Sequence, residues 1–215
     1  MQERKDVPPA SQNGSSFITD TVKQIKKTLQ GDILSVEEIR QSLSEDRQDE
    51  MNFIDLLKKH HDFLEESISV LTDKNAEIVD KQFHLDRFIK LLDMHGMAEQ
   101  ETLYIALKDN EKKEARLEGF GGQDEHDVAF QVSDELIGMN FAEDWTEEVD
   151  AKAKVVANMV KNHIKEEESM MFSIAKSDIS EEQLNALTDA YIDKCLTQLT
   201  TFSMNLSDNF DLPRH

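Results

Sequence analysis

The sequence predicts an all-α protein, an antiparallel up-down four-helix bundle with extra helices at its N-terminal and C-terminal ends. Apolar residues recur three and four positions apart over long stretches, which is the spacing of one face of an α-helix. No stretch shows the strict alternation of a strand, and short polar connections join the helical stretches. At 215 residues, the chain suits one domain with a single core.

The composition excludes several classes of partner. Lys plus Arg (24) against Asp plus Glu (45) gives a formal net charge of −21, so nucleic acid and an anionic membrane surface are not expected partners. No apolar run approaches the roughly 20 residues of a membrane span, and the polar N-terminus lacks the apolar core of a secretory signal. We therefore expect a cytoplasmic protein. The single cysteine, Cys195, excludes an intramolecular disulfide and is expected to be a buried, unreactive residue.

The chain divides into five regions. Residues 1–16, with Pro8 and Pro9, are predicted to be a disordered leader, and residues 17–48 an N-terminal helical extension. Within that extension, Phe17 to Leu29 fits a short amphipathic helix. The remaining regions are the bundle at 49–176, a C-terminal helix at 179–207 and a tail at 208–215.

The first two bundle helices carry long apolar stripes. The first begins near Asp49, and its inward positions are Ile54, Leu57, His61, Leu64, Ile68 and Leu71. The second is predicted as one long helix from about Asn75 to Asp109. Its inner side carries Phe88, Leu91, Leu92, His95, Glu99, Leu103 and Ala106.

The third and fourth bundle helices follow a glycine cluster that we expect to act as a helix breaker, namely Gly119, Gly121 and Gly122. The third helix presents His126, Ala129, Phe130, Ser133 and Ile137. The fourth starts at Trp145 and Thr146, and its inward face carries Val156, Val160, His163, Glu167, Met170 and Ile174. A capping box, Ser180 with Gln183, starts the C-terminal helix. The inward positions of that helix are Leu184, Leu187, Tyr191, Cys195, Leu199 and Phe202.

Each of the four bundle helices presents a histidine on its inward face, and two of these histidines have a glutamate one turn later. The six residues are His61, His95, Glu99, His126, His163 and Glu167. Left unpaired in a narrow core, such side chains would each cost several kcal/mol, so a metal centre is the economical explanation. Imidazoles with carboxylates and no thiolates suit iron or manganese, with zinc possible, and the number of donors favours two ions.

The pattern H…HxxxE…H…HxxxE resembles the hemerythrin-like family, also called the HHE cation-binding domain. The matching segments are HHDFLEESISVL, MHGMAEQETLY, QDEHDVAF and NHIKEEESMMF. The resemblance implies a non-heme di-iron centre in which Glu99 and Glu167 bridge two irons. His61, His95, His126 and His163 would be terminal ligands, and an oxo or hydroxo bridge would complete the centre. It also implies a small partner: O2, NO or peroxide.

Two features depart from well-known branches of this family. The oxygen carriers have a further histidine one turn after the third-helix ligand, and here that position is Phe130. Four histidines with two glutamates are similar to the subgroup linked to repair of iron centres and to nitrosative stress. That subgroup usually has an N-terminal domain with a cysteine motif, which the leader here lacks.

Four functional hypotheses stay open at this stage. The first is a protein that binds or senses O2, NO or peroxide, helped by an apolar pocket near Phe130, Met170 and Met171. The second is an enzyme of peroxide or nitrosative stress defence, assisted by a residue such as Tyr104. The third is iron storage or delivery. The last is a bundle that binds no metal and recruits a partner through its terminal helices. The oligomeric state is not readable.

Several single residues have competing interpretations. His60 competes with His61 for the first ligand position, and the stripe favours His61. Tyr104 is expected to pack in the core, with electron donor or iron ligand as the alternatives. Gly96 next to His95 indicates either close packing of a neighbouring helix or access to the metal pocket. Two further expectations concern His84, as an outer-layer histidine, and the run Glu166, Glu167 and Glu168, of which only Glu167 should face inward.

Overall fold

The computed structural model describes residues 39–49 and 51–208, and within this part every regular element is helical. The expected leader and the amphipathic segment 17–29 lie outside the described residues. The elements are α1 (39–48), α2 (Phe53–Thr72), α3 (Ile78–Gln100), α4 (Leu103–Lys108), α5 (Lys113–Gly138), α6 (Glu147–Glu166), a π-helical segment (Glu167–Met171), α7 (Phe172–Asp178) and α8 (Glu181–Asp208).

Four of the helices form a closed ring, and this confirms the predicted bundle. Helix α2 packs on α3 and α6, and α5 packs on α6 and α3, so each helix has two neighbours around one core. The stripe predicted for α2 is buried at every position. Helix α8 packs across α3 and α2, outside the ring.

The helix starts predicted from sequence are present. The Thr146 hydroxyl accepts a hydrogen bond from the Val149 N–H at 3.2 Å, so Thr146 is the N-cap of α6. Ser180 and Gln183 form the capping box, because the Gln183 N–H donates to the Ser180 hydroxyl and the Ser180 N–H donates to the Gln183 side chain. These contacts fix where α6 and α8 begin.

The prediction of one long second helix was wrong, because the chain breaks between α3 and α4. Thr102 leaves the helical region, with φ −128° and ψ −84°. Its hydroxyl donates to the Ala98 carbonyl at 2.6 Å and replaces the backbone N–H that a continuous helix would supply. The break comes just before Tyr104, which is fully buried.

The glycine cluster does not break a helix, and that prediction was also wrong. Helix α5 runs without interruption through Gly119, Gly121 and Gly122. A Cβ on Gly119 would lie 3.0 Å from Leu107, and one on Gly122 would lie 2.8 Å from Tyr104. Two of the three glycines therefore let α4 approach α5 closely. Further along α5, the inward residue is Leu136, and Ile137 is exposed.

A π-helical segment shifts the inward face of the fourth helix by one position. The sequence pattern placed Met170 and Ile174 inward, but Met170 is 52% exposed, whereas Met171 and Ala175 are buried. A π-helix has more residues per turn than an α-helix, so the face that continues from Glu167 passes through 171 and 175. Met170 therefore does not line an apolar pocket.

The terminal helices pack against one side of the bundle. Arg47 of α1 forms an ion pair with Asp193 of α8 at 2.6 Å, and Asp46, also in α1, pairs with Lys59 of α2 at 2.6 Å. Cys195 is free and buried, as expected, and burial raises the pKa of its thiol. The side chain of Phe202 lies outside the described part. None of the helices described in the structure has the length and apolar character needed to cross a membrane.

Gly122 and Gly121 provide a matched pair for testing the close approach of α4 to α5. We expect Gly122→Ala to destabilise the fold by about 1–3 kcal/mol, because the new methyl would overlap the buried Tyr104 ring. Gly121→Ala has no described atom within 4 Å of its new methyl, so it should stabilise the helix by up to about 1 kcal/mol. Urea unfolding of both variants measures the difference. Equal shifts of the two midpoints would contradict the packing described above.

Candidate metal centre

The four bundle helices bring all six predicted residues together at one level of the core. Each is buried, and the carboxylates of Glu99 and Glu167 are fully inaccessible to solvent. They form two groups, and within each group one ligand atom from every residue lies within 4.8 Å of the others. The first group is His61, His95, Glu99 and Glu167, and the second is Glu99, His126, His163 and Glu167. The two groups share both carboxylates.

In both groups the Nε2 atoms of the histidines face the carboxylates. His61 Nε2 lies 3.2 Å from Glu167 Oε2, and His95 Nε2 lies 3.1 Å from Glu99 Oε2. In the second group, His163 Nε2 is 3.4 Å from Glu167 Oε1, and His126 Nε2 is 3.7 Å from Glu99 Oε2. Four nitrogen bases and two carboxylates thus converge on one small volume.

The outer nitrogens of three of these histidines are held by other residues. His61 Nδ1 lies 2.9 Å from Glu168, and His163 Nδ1 lies 2.5 Å from Glu125. His95 Nδ1 lies 2.6 Å from the hydroxyl of Tyr191, on α8. Metal-binding histidines ordinarily use their second nitrogen in this way, since the contact fixes the tautomer and the orientation of the ring. The same three contacts therefore leave the three Nε2 atoms free to bind a cation.

Tyr104 lies inside the cluster, which the sequence analysis did not expect. Its hydroxyl donates to Glu167 Oε1 at 2.6 Å and lies 3.2 Å from the Nε2 atoms of both His126 and His163. Space for the ring comes from Gly122, whose missing Cβ would collide with it. Tyr104 is therefore buried in the core, as the sequence predicted, and its hydroxyl in addition contacts three of the clustered residues.

The donor set fits a cation. Several of its atoms are buried and have no hydrogen-bond partner among the described residues, namely both oxygens of Glu99, Oε2 of Glu167 and Nε2 of His61. A buried carboxylate oxygen that has no hydrogen-bond donor lowers the stability of the fold by about 1–3 kcal/mol or more, so folded proteins rarely contain one. A divalent ion between these oxygens and the imidazoles would satisfy the whole set, and histidine with carboxylate ligands suits iron, manganese or zinc.

The electrostatics of the cluster also require positive charge. Burial, together with the neighbouring Glu167, raises the pKa of Glu99 well above its usual range. Burial would raise the pKa of Glu167 too, but the His163 and His61 imidazoles outweigh it and hold that pKa well below its usual range. Glu167 therefore stays ionised in the core. Its charge must be balanced by histidinium groups or by a bound cation.

The four histidines differ in their protonation. Burial lowers the pKa of every imidazole, but Glu167 and Glu168 raise that of His61 to about 9, and Glu167 and Glu125 raise that of His163 to about 10. Burial and the neighbouring histidines hold the pKa of His95 well below 6.5 and that of His126 at about 3. Cation binding at neutral pH must therefore displace protons from His61 and His163.

Three residues with competing interpretations can now be placed. His60 does not belong to the cluster: its Nδ1 lies 2.7 Å from the Tyr191 hydroxyl, and burial and the nearby His61 lower its pKa to about 3. His84 lies apart from the cluster, with Nδ1 3.4 Å from the Ser67 hydroxyl. Gly96 serves close packing, since a Cβ there would lie 2.8 Å from Phe130 and 3.2 Å from His126.

Sequence reasoning missed three residues that support the histidines, namely Glu125, Glu168 and Tyr191. Glu168 was expected to face solvent, and although it is partly exposed it also reaches His61. For Tyr191 a signal existed, because a phenol on the inward stripe of a helix needs a hydrogen-bond partner. Glu125 precedes His126 in an acidic run, and nothing in the pattern separates it from its neighbours.

Comparisons with known proteins support the conclusion that the cluster suits a cation, although only the comparison with family models found a match. Neither the curated proteins nor the solved structures include a match to this chain. A family model, described as the hemerythrin HHE cation binding domain, matches residues 52–175, which is more than half of the chain and contains α2 to α6 with all six clustered residues. The chain belongs to the hemerythrin HHE cation-binding family.

Proposed function

We propose that the cluster holds two iron ions that share the carboxylates of Glu99 and Glu167. His61 and His95 would bind one ion, and His126 and His163 the other. The observation that carries this proposal is the division of the cluster into two overlapping groups with both carboxylates in common. A single ion would leave one pair of buried imidazoles without a metal. Both groups also contain Glu99 and Glu167, so each carboxylate would have to serve both ions.

We further propose that the protein binds or senses O2, NO or peroxide at this centre. Iron, when bound, supplies coordination positions for a small ligand and exchanges electrons with it. Two imidazoles and two shared carboxylates give each ion fewer protein ligands than the six of an octahedral site, which leaves room for such a ligand. Burial of all six residues limits the access of water, so the ligand would lie in a low-dielectric environment.

The surrounding residues would keep the site in one geometry as the ligand binds and leaves. Glu168 and Glu125 orient the rings of His61 and His163 through their Nδ1 atoms. Tyr104 keeps its proton, because burial and the neighbouring Glu167 raise the pKa of the phenol well above 10. It is therefore a hydrogen-bond donor beside the ligand atoms at neutral pH.

Tyr104 favours a second candidate function, an enzyme that reduces peroxide or NO. Such a reaction needs a proton at the place where charge develops on the bound oxygen or nitrogen atom. The Tyr104 hydroxyl is 2.6 Å from Glu167 and 3.2 Å from two histidines, so it can supply this proton without water entering the core. The binding and enzymatic proposals use the same centre and differ in whether the ligand is consumed.

The ligand set can be tested with neighbouring glutamates. Glu167→Ala should remove an oxygen donor from both groups, so we expect the variant to lose most of both ions. Glu166→Ala changes the adjacent carboxylate, which is exposed and outside the cluster, and should keep the full metal content. Elemental analysis of protein from iron-supplied cells, with circular dichroism as a check on folding, measures the outcome. Full metal content in a folded Glu167→Ala protein would refute the proposed ligands.

The function itself can be tested by spectroscopy of the reduced, iron-loaded protein. We expect about two irons per chain and a change in the ultraviolet–visible spectrum when O2, NO or peroxide is added. A spectrum that returns when the reagent is removed would support binding, and continued consumption of the reagent would support an enzyme. A spectrum that none of the three reagents alters would rule out both.

Tyr104→Phe separates the two candidates further. Loss of the hydroxyl removes the proposed proton source and leaves the ring in place, so a peroxide-reducing activity should fall by about 100-fold or more. The metal content should stay at about two irons per chain, because the phenol is not among the proposed ligands. Unchanged turnover in iron-loaded Tyr104→Phe would exclude this tyrosine as the donor, and stopped-flow consumption of peroxide provides the measurement.

A further inference from the structure

Tyr191 connects the C-terminal helix to the candidate metal centre. Its side chain is fully buried, and its hydroxyl lies 2.6 Å from Nδ1 of His95 and 2.7 Å from Nδ1 of His60. The three rings pack against one another, with centroids 5.5–6.1 Å apart. Helix α8, which carries Tyr191, begins at Glu181, after the end of the segment that matches the family model.

A metal on Nε2 of His95 would fix the direction of the hydrogen bond between His95 and Tyr191. If His95 binds through Nε2, which faces Glu99, its ring proton is on Nδ1 and is donated to the Tyr191 oxygen. The phenolic proton then points away from His95, and Nδ1 of His60, 2.7 Å from the hydroxyl, lies within reach as an acceptor. Without a metal, the phenol can donate to either histidine, so metal binding selects one arrangement of the network.

We propose that Tyr191 positions the metal-binding nitrogen of His95 and makes helix α8 part of the metal centre, so that metal binding and docking of α8 stabilise each other. This inference rests on the proposed function, because it requires a metal at His95. It goes beyond that function because it assigns a role to a helix outside the family domain.

The packing of α8 gives this coupling a physical basis. Tyr191, Ile192, Cys195 and Leu199 are all buried, so the hydroxyl is held in place by the helix itself. Undocking of α8 would remove the hydroxyl that orients the His95 ring through Nδ1. Outer partners of metal-binding histidines typically change metal affinity about 10–100-fold, and linkage requires that the metal change the docking equilibrium by the same factor.

The test compares Tyr191→Phe with Thr188→Val. The first substitution removes the hydroxyl at His95, and the second removes a hydroxyl of the same helix that donates, within the described structure, to the Leu184 carbonyl. Anaerobic competition between the protein and an Fe(II) chelator should show about 10-fold or more weaker Fe(II) binding in Tyr191→Phe and unchanged binding in Thr188→Val.

Hydrogen exchange of the full chain provides the second readout. In the wild type and in Thr188→Val, Fe(II) should increase the protection of α8 amides around residue 191. In Tyr191→Phe this increase should disappear, although α8 stays docked in the metal-free protein. If Tyr191→Phe does not fold, the wild-type measurement still tests the inference, because α8 protection that Fe(II) leaves unchanged would contradict it.

Three results would overturn the inference. Wild-type Fe(II) affinity in a folded Tyr191→Phe protein would leave the two-iron proposal intact and remove only the role of Tyr191. Equal destabilisation of the metal-free and metal-loaded forms by this variant would indicate a structural role without coupling. A wild-type chain that binds no Fe(II) would refute both this inference and the function on which it rests.

Discussion

Two carboxylates buried at the centre of a helical bundle are the constraint on which the rest of this structure depends. Glu99 and Glu167 have no solvent access, and three of their four oxygens find no hydrogen-bond donor among the described residues. Water and surface lysines cannot reach them, so the positive charge must come from the four histidines or from bound cations. That requirement accounts for the position of each histidine and for the side chains that contact the outer nitrogens of three of them.

The irregular parts of the helices serve the site. The break at Thr102 comes two residues before Tyr104, whose ring is buried in the core, and Gly122 leaves the space that this ring occupies. The π-helical segment begins at Glu167 and lets two consecutive glutamates contact opposite nitrogens of His61.

The fold and the clustering of the six residues were predictable because both depend on periodicity. Burial of one helix face selects apolar residues every three or four positions, and a histidine or glutamate on that face stands out. The π-helical segment, the break at Thr102 and the continuity of α5 through its glycines were not predictable in this way. Each depends on contacts between helices, such as Tyr104 against Gly122, that no local pattern contains.

The two halves of the candidate centre are not equivalent, and this asymmetry bears on its chemistry. His61 and His95 are held from outside by Glu168 and Tyr191, and no phenol hydroxyl contacts their Nε2 atoms in the described structure. The half with His126 and His163 instead has the Tyr104 hydroxyl 3.2 Å from both Nε2 atoms. On this half Phe130 packs against Gly96 and His126, and it offers no nitrogen to a metal. Under the proposed two-iron arrangement, the Tyr104 hydroxyl and a neighbour that cannot bind metal thus lie at the same ion, which is where we expect a small ligand to bind.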